Sequence, residues 1–207
     1  MTLRVDYTAE RTWAQIVGGL RTARLTSGRT QVALSNGLPV RGRAISEWET
    51  GGVQPSLHHL IQWSAKLDRR LTIADRVGIP WPTLFRWRVS ESWEAFERRR
   101  LAFPLRNRRR ALEMSQKELG ELVGVSRDSI RRWELARVPP RPLSCIVWAQ
   151  TLGCTLTLQP IDMWEKRLHA YAADVHRIRS AVERLGDKTP APAVATNALT
   201  DATLPSS

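Results

Sequence analysis

Acidic residues are in short supply. The 207-residue chain has 20 Asp+Glu against 32 Lys+Arg, a formal net charge of +12 and a pI near 11.1. Such an imbalance favours a polyanionic partner, nucleic acid ahead of a membrane surface, provided the charge is clustered. Long hydrophobic runs are missing too. A membrane-spanning helix needs about 20 consecutive apolar residues, so none is expected and no membrane partner is implied. The opening Met1-Thr2-Leu3-Arg4-Val5-Asp6 lacks a basic region followed by an apolar one, so no secretory signal is expected. Cys145 and Cys154 are the only cysteines. Two cannot build a multi-bridge secreted scaffold, and reduced core thiols in a cytoplasmic protein are the simpler expectation.

Catalytic motifs are absent as well. The chain has no Gly-rich phosphate loop, no His-Glu-x-x-His, no Cys-x-x-Cys and no Gly-x-Ser-x-Gly. His58 and His59 are neighbours that diverge on a helix, and His169 and His176 lack a local cysteine or carboxylate partner. All four read as surface histidines. No enzyme, no cofactor and no metal is expected. At 42% hydrophobic and 25% charged, the composition is that of an ordinary soluble globular protein of one or two domains.

What the chain does have is a repeat. At an offset of 85, Leu20 to Thr72 aligns with Leu105 to Thr157 without a gap, giving 16 identities in 53 positions. Among them are Arg24/Arg109, Gln31/Gln116, Ile45/Ile130, Trp48/Trp133, Glu49/Glu134 and Trp63/Trp148. The spacing exceeds that of common solenoid repeats, so each copy is expected to be a small domain of its own.

Each copy reads as a run of short helices. In the second, Ser115 to Glu118 is a capping box opening a helix through Leu122. Gly124 then punctuates, and Ser126 is a candidate N-cap for a helix from Arg127 to Glu134. The proline-rich stretch from Val138 to Pro142 predicts a loop, and an apolar helix over Leu143 to Leu152 follows. Thr155-Leu156-Thr157-Leu158 alternates as a short strand would, with Leu71-Thr72-Ile73 as its counterpart.

The stretch Leu105 to Glu134 resembles the lambda-repressor/Cro-like helix-turn-helix family. The elements that carry the likeness are Ser115-Gln116-x-x-Leu119, Gly124-Val125-Ser126 and Ile130-x-x-Trp133-Glu134. The resemblance covers residues 95 to 158 well and 12 to 75 more loosely. It implies a mainly α fold of two tandem five-helix domains, each with its third helix in the major groove of double-stranded DNA. The expected boundaries are 1–75 for the first domain, 76–90 for a linker and 91–160 for the second domain.

Physical reasons accompany the likeness. Gly124 suits a tight turn between two helices. Ile130 and Trp133, three apart, share the inward face, leaving Arg127, Asp128, Arg131 and Arg132 outward. The resemblance turns Arg127, Asp128 and Arg132 toward base edges and sets Ser126 and Arg131 nearer phosphate. Arginine grips guanine through two hydrogen bonds, whereas Asp128 only accepts, for instance from cytosine. Ser115 and Gln116 stand at a helix N-terminus, which suits phosphate. Arg137 and Arg141 extend the backbone grip. The resemblance also implies that Glu134 is structural, paired with Arg109, as Glu49 would be with Arg24. The alternative for the outer face is a solvated arginine-rich surface.

The first copy departs where DNA would be read. Its candidate third helix spans Arg41 to Trp48, yet it contains Gly42, carries Glu47 in place of Arg132, and has Pro39 where the second copy has Gly124. Gln31, Arg41, Arg43 and Glu47 are its candidate DNA contacts; a scaffold or partner surface is the alternative. Arg98 to Arg100 and Arg106 to Arg110 form basic clusters that either hold phosphate or make a solvated face. Ala74 to Trp87 imitates a further helix-turn-helix pattern, but it consumes the end of the first copy and is read as linker.

Beyond a capping box at Asp162 to Glu165, Trp164, Leu168, Tyr171, Val175, Ile178, Val182 and Leu185 recur alternately four and three apart. This heptad seam over 161–186 is expected to form a homodimer; its alternative is a helix folded back on the same chain. Residues 187–207, rich in Pro, Ala, Thr and Ser, are expected to be disordered. The expected function is a sequence-specific, phage-like repressor that occupies an operator on double-stranded DNA. The alternatives are an antitoxin-like or adaptor module gripping a protein partner, and an architectural or recombination accessory factor.

Overall fold

The computed structural model describes residues 2–81, Arg88, 91–161 and Arg177. Among them the chain forms α1 (Tyr7–Thr26), α2 (Gln31–Asn36), α3 (Ala44–Thr50), α4 (Leu57–Lys66) and β1 (Arg69–Ala74). It then forms α5 (Trp93–Ala111), α6 (Gln116–Val123), α7 (Arg127–Glu134), α8 (Pro142–Thr151) and β2 (Thr155–Pro160). The fold is mainly helical, as expected. The order of four helices and a strand therefore occurs twice.

Local chemistry accounts for the helix boundaries. Asp6, Thr30, Ser56 and Ser92 each accept a backbone N–H in the first turn of α1, α2, α4 and α5. The capping box at α6 is complete: Ser115 Oγ accepts from the Glu118 N–H, and Glu118 accepts from the Ser115 N–H at 2.7 Å. Pro142 opens α8, where a missing N–H costs nothing.

Two expectations need correction. A strand, not a fifth helix, follows α4 and α8. Asp68 (φ 56°) and Gly153 (φ 74°) turn the chain out of the preceding helix, and the Thr/Leu/Ile segments then suit a pleat better than a helical turn. The third helix of the first half begins at Ala44, not Arg41. Gly42 lies in the preceding turn, and Arg43, at the N-cap, gives no capping hydrogen bond. The stretch after Ala74, read as linker despite its imitation of a helix-turn-helix pattern, begins as a tight turn. Asp75 Oδ1 accepts from the N–H groups of Val77 and Ile79, and the Trp81 N–H returns to the Ile73 carbonyl. Residues 82–87 lie outside the described residues.

The two strands pair with each other, antiparallel, with Leu71 opposite Leu158, Thr72 opposite Thr157 and Ile73 opposite Leu156. Around them the packing is reciprocal: α1 lies against β2 and α8, and α5 lies against β1 and α4. One buried apolar cluster takes in Leu20, Ile45, Trp63 and Leu71 from the first half and Leu105, Ile130, Trp148 and Leu156 from the second.

Where α5 crosses β1, Glu97 is buried between two arginines. Arg70 donates to it at 2.9 Å, and Arg100 donates at 2.9 and 3.1 Å while also reaching the Leu71 carbonyl. The reciprocal crossing of α1 and β2 differs, since Thr12, Gln15 and Thr155 stand at the offset positions. They line an open groove of about 1170 Å³.

Candidate nucleic-acid interface

Helices α6 and α7 meet at Gly124, whose φ of 84° is left-handed. A side chain there would meet the backbone of Thr2, because the segment before α1 crosses this turn and the Arg4 N–H donates to the Val123 carbonyl at 3.0 Å. Gly120 has the same kind of constraint: a Cβ would come within 2.8 Å of the Val125 carbonyl oxygen. Sequence reasoning found the first glycine and missed the second. Nothing in the sequence marks the crossing segment.

Helix α7 divides as its periodicity predicts. Ile130, Trp133 and Glu134 are buried, and Arg127, Asp128, Arg131 and Arg132 are exposed. Ser126 caps the helix by accepting the Ser129 N–H at 3.1 Å. Asp128 is not free on this surface, because its carboxylate pairs with Arg132 one turn later and lies 3.9 Å from Arg131. Both partners are about half exposed, so the pair adds little stability. It orients the Arg132 guanidinium along the helix. Arg137 and Arg141 are exposed in the following loop, and a shallow concavity runs from Asp128, Arg131 and Arg132 to Arg137 and Val138.

Behind this surface, Arg109 grips Glu134 with two hydrogen bonds, Nε to Oε1 at 2.5 Å and Nη2 to Oε2 at 3.0 Å. Gln116 also donates to Glu134, at 2.8 Å, and the third arm of Arg109 reaches the Met114 carbonyl at 2.6 Å. Gln116 is thus tied to the structural pair, with its second amide hydrogen still unassigned. Its neighbour Ser115 is exposed at the N-cap.

The first half repeats this arrangement eighty-five residues earlier. Arg24 grips Glu49 at 2.7 and 2.8 Å, Gln31 donates to Glu49 at 2.8 Å, and Arg24 reaches the Arg29 carbonyl at 3.0 Å. Burial works against the Glu49 carboxylate, but the hydrogen bonds from Arg24 and Gln31 and the charges of Arg24 and Arg21 bring its pKa below the ordinary value. Trp48 and Trp63 meet at 5.5 Å and 42°, and Trp133 and Trp148 at 5.7 Å and 42°. Arg41 and Arg43 are exposed; Glu47 is half-buried.

The basic clusters of α5 are mostly neither phosphate grip nor solvated face. Arg99 is held by Glu91 through two hydrogen bonds at 2.6 and 2.7 Å, Arg100 is buried against Glu97, and Arg108 reaches the Leu152 carbonyl at 3.3 Å. His58 and His59 are half-buried, with the His59 ring stacked on Trp48 at 5.7 Å, so they are not the surface pair expected. The heptad positions Trp164, Leu168, Tyr171, Val175, Ile178, Val182 and Leu185 lie outside the described residues.

The family comparison falls on the part of the chain that holds α6 and α7. Residues 105–159 match the family model described as Helix-turn-helix. The match runs from the second part of α5 through β2 and does not extend to the first half. Neither the comparison with curated proteins nor that with solved structures gives a match. Among the described residues, no helix is long and apolar enough to cross a membrane.

Proposed function

We propose that the protein is a sequence-specific regulator that binds double-stranded DNA by laying α7 in the major groove. The observation that carries this reading is the exposed row Arg127, Asp128, Arg131 and Arg132 on a helix anchored from behind by Ile130, Trp133 and the Arg109–Glu134 pair, inside the segment that matches the helix-turn-helix family. Arg127 and Arg132 address base edges, with Asp128 steering Arg132 and accepting from cytosine. Ser115, the second amide hydrogen of Gln116, Ser126, Arg131, Arg137 and Arg141 address phosphate.

The first half is read as a second copy. Equal offsets of its ion pair, glutamine and tryptophan pair support this, and Gln31, Arg41, Arg43 and Glu47 are its candidate contacts. The regulatory act proposed is repression by occupying an operator. Dimerisation through Trp164 to Leu185 rests on the heptad pattern, and the mass of the chain in solution tests it.

Selection from a randomised duplex pool at about 0.15 M salt tests the reading. Enrichment of a sequence motif is the expected result; tight, salt-sensitive binding without enrichment would overturn specificity. In the selected site, Arg132→Ala should cost about 1–3 kcal/mol and relax preference at one base position. A uniform loss on every sequence would make Arg132 a phosphate contact instead.

A further inference from the structure

The register of the two strands fixes how the halves are related. Thr72 and Thr157, equivalent by the offset of 85, sit directly opposite each other, and the pairs on either side exchange equivalents: Leu71 faces Leu158 while Ile73 faces Leu156. An antiparallel pair has a local two-fold axis perpendicular to the sheet between opposed residues. Here that axis falls on the one position where a residue meets its own counterpart. The packing around it obeys the same rotation, since α1 on β2 and α8 becomes α5 on β1 and α4. The symmetry therefore extends beyond the sheet to the helices packed on it.

A two-fold rotation leaves α3 and α7 at the same level along its axis and reverses the parts of their directions that lie across it. The two half-sites of a duplex operator are related in the same way. Each helix packs within its own half, α3 on α1 and α2, α7 on α5 and α6. What the two would read differs. Gly42, Arg43, Ser46 and Glu47 stand in the first half where Arg127, Asp128, Arg131 and Arg132 stand in the second.

We propose that one chain is a closed pseudo-dimer, in which α3 and α7, related by the axis through Thr72 and Thr157, read the two unequal halves of a single bipartite duplex site. The inference rests on the DNA-binding reading above and adds a second reading helix, a fixed spacing and a ratio of one chain per site. The spacing is set by the paired strands and the shared core, not by a flexible tether.

The experiment uses the full chain and the duplex recovered by selection. Mass measurement of the complex at saturating duplex should give as many bipartite duplexes as chains, two of each where the heptad segment pairs two chains. Arg43→Ala should alter base preference in one half only and Arg132→Ala in the other only. Inserting five base pairs, about half a helical turn, between the halves should lower affinity about a hundredfold or more, because the second contact is lost. A recovered motif with one half alone, unaffected by Arg43→Ala, overturns the pseudo-dimer and leaves the α7 reading intact. Two identical halves bound by two chains overturn it as well, as does an insertion tolerated without loss. Failure to recover any motif strikes at the DNA-binding reading itself.

Discussion

Glu49 and Glu134 each receive an arginine and a glutamine from their own half, and this is where single residues govern the interface. Because the folded pKa of Glu49 is lowered, its contribution to stability is complete above the ordinary value of 4.5 and is lost as pH falls through the folded value. Glu49→Gln should thus be less stable than the parent at about pH 7, with the difference shrinking below pH 4.5. Denaturant midpoints of both proteins across that range check it, and a difference that stays constant down to the acid limit would contradict the linkage. The Arg–Glu pairs were legible in the sequence because the resemblance supplied the partners. The two glutamines were not. A residue at a helix N-terminus reads as a phosphate ligand until the structure brings a buried carboxylate within its reach.

At the scale of elements, the turn between α6 and α7 has two separable demands: a left-handed backbone at Gly124 and room for the segment of Thr2 to Arg4. Gly124→Ala should cost about 1–3 kcal/mol for the backbone conformation and more for the collision. The collision part should vanish in a chain lacking residues 1–5. Equal losses in both backgrounds would mean that the crossing segment does not press on the turn. Helices α6 and α7 matched their sequence signals closely, since serine caps are local devices, whereas α8 takes in Pro142, which the sequence assigned to the loop. Helix α3 did not, as Gly42 and the uncapped Arg43 weaken its start without stating where it recovers. The strands were legible as strands from the Thr/Leu alternation, while the likeness to a five-helix family implied a fifth helix that the described residues do not form.

For the whole molecule, the repeat was legible and the mutual packing was not. An alternating segment specifies a pleat but not its partner, and the Arg70–Glu97–Arg100 contact joins residues whose sequence neighbours suggested a basic surface. The shared cluster predicts that both halves unfold together, in a single transition by far-ultraviolet circular dichroism and by tryptophan fluorescence. The thiols give an independent probe. Burial raises Cys145 to about 12 and Cys154 to about 11, so neither is a thiolate near neutrality. Both should resist a thiol reagent in the native state and react at the denaturant concentration where the helical signal is lost. Two resolved transitions, or thiols that react before the first half unfolds, would mean that the halves are independent.

The pairing of β1 with β2 inside one chain has a consequence for direction. A symmetric dimer looks the same from either end of its site, and any substitution in its reading helix appears twice. Here each side of the axis is encoded separately, so the buried charged crossing of α5 and the open groove beside α1 differ without disturbing each other. A body built in this way has a left and a right. Bound to a duplex as proposed, it would sit with one polarity and present the groove toward only one of its two flanks, giving a neighbouring protein a way to tell upstream from downstream.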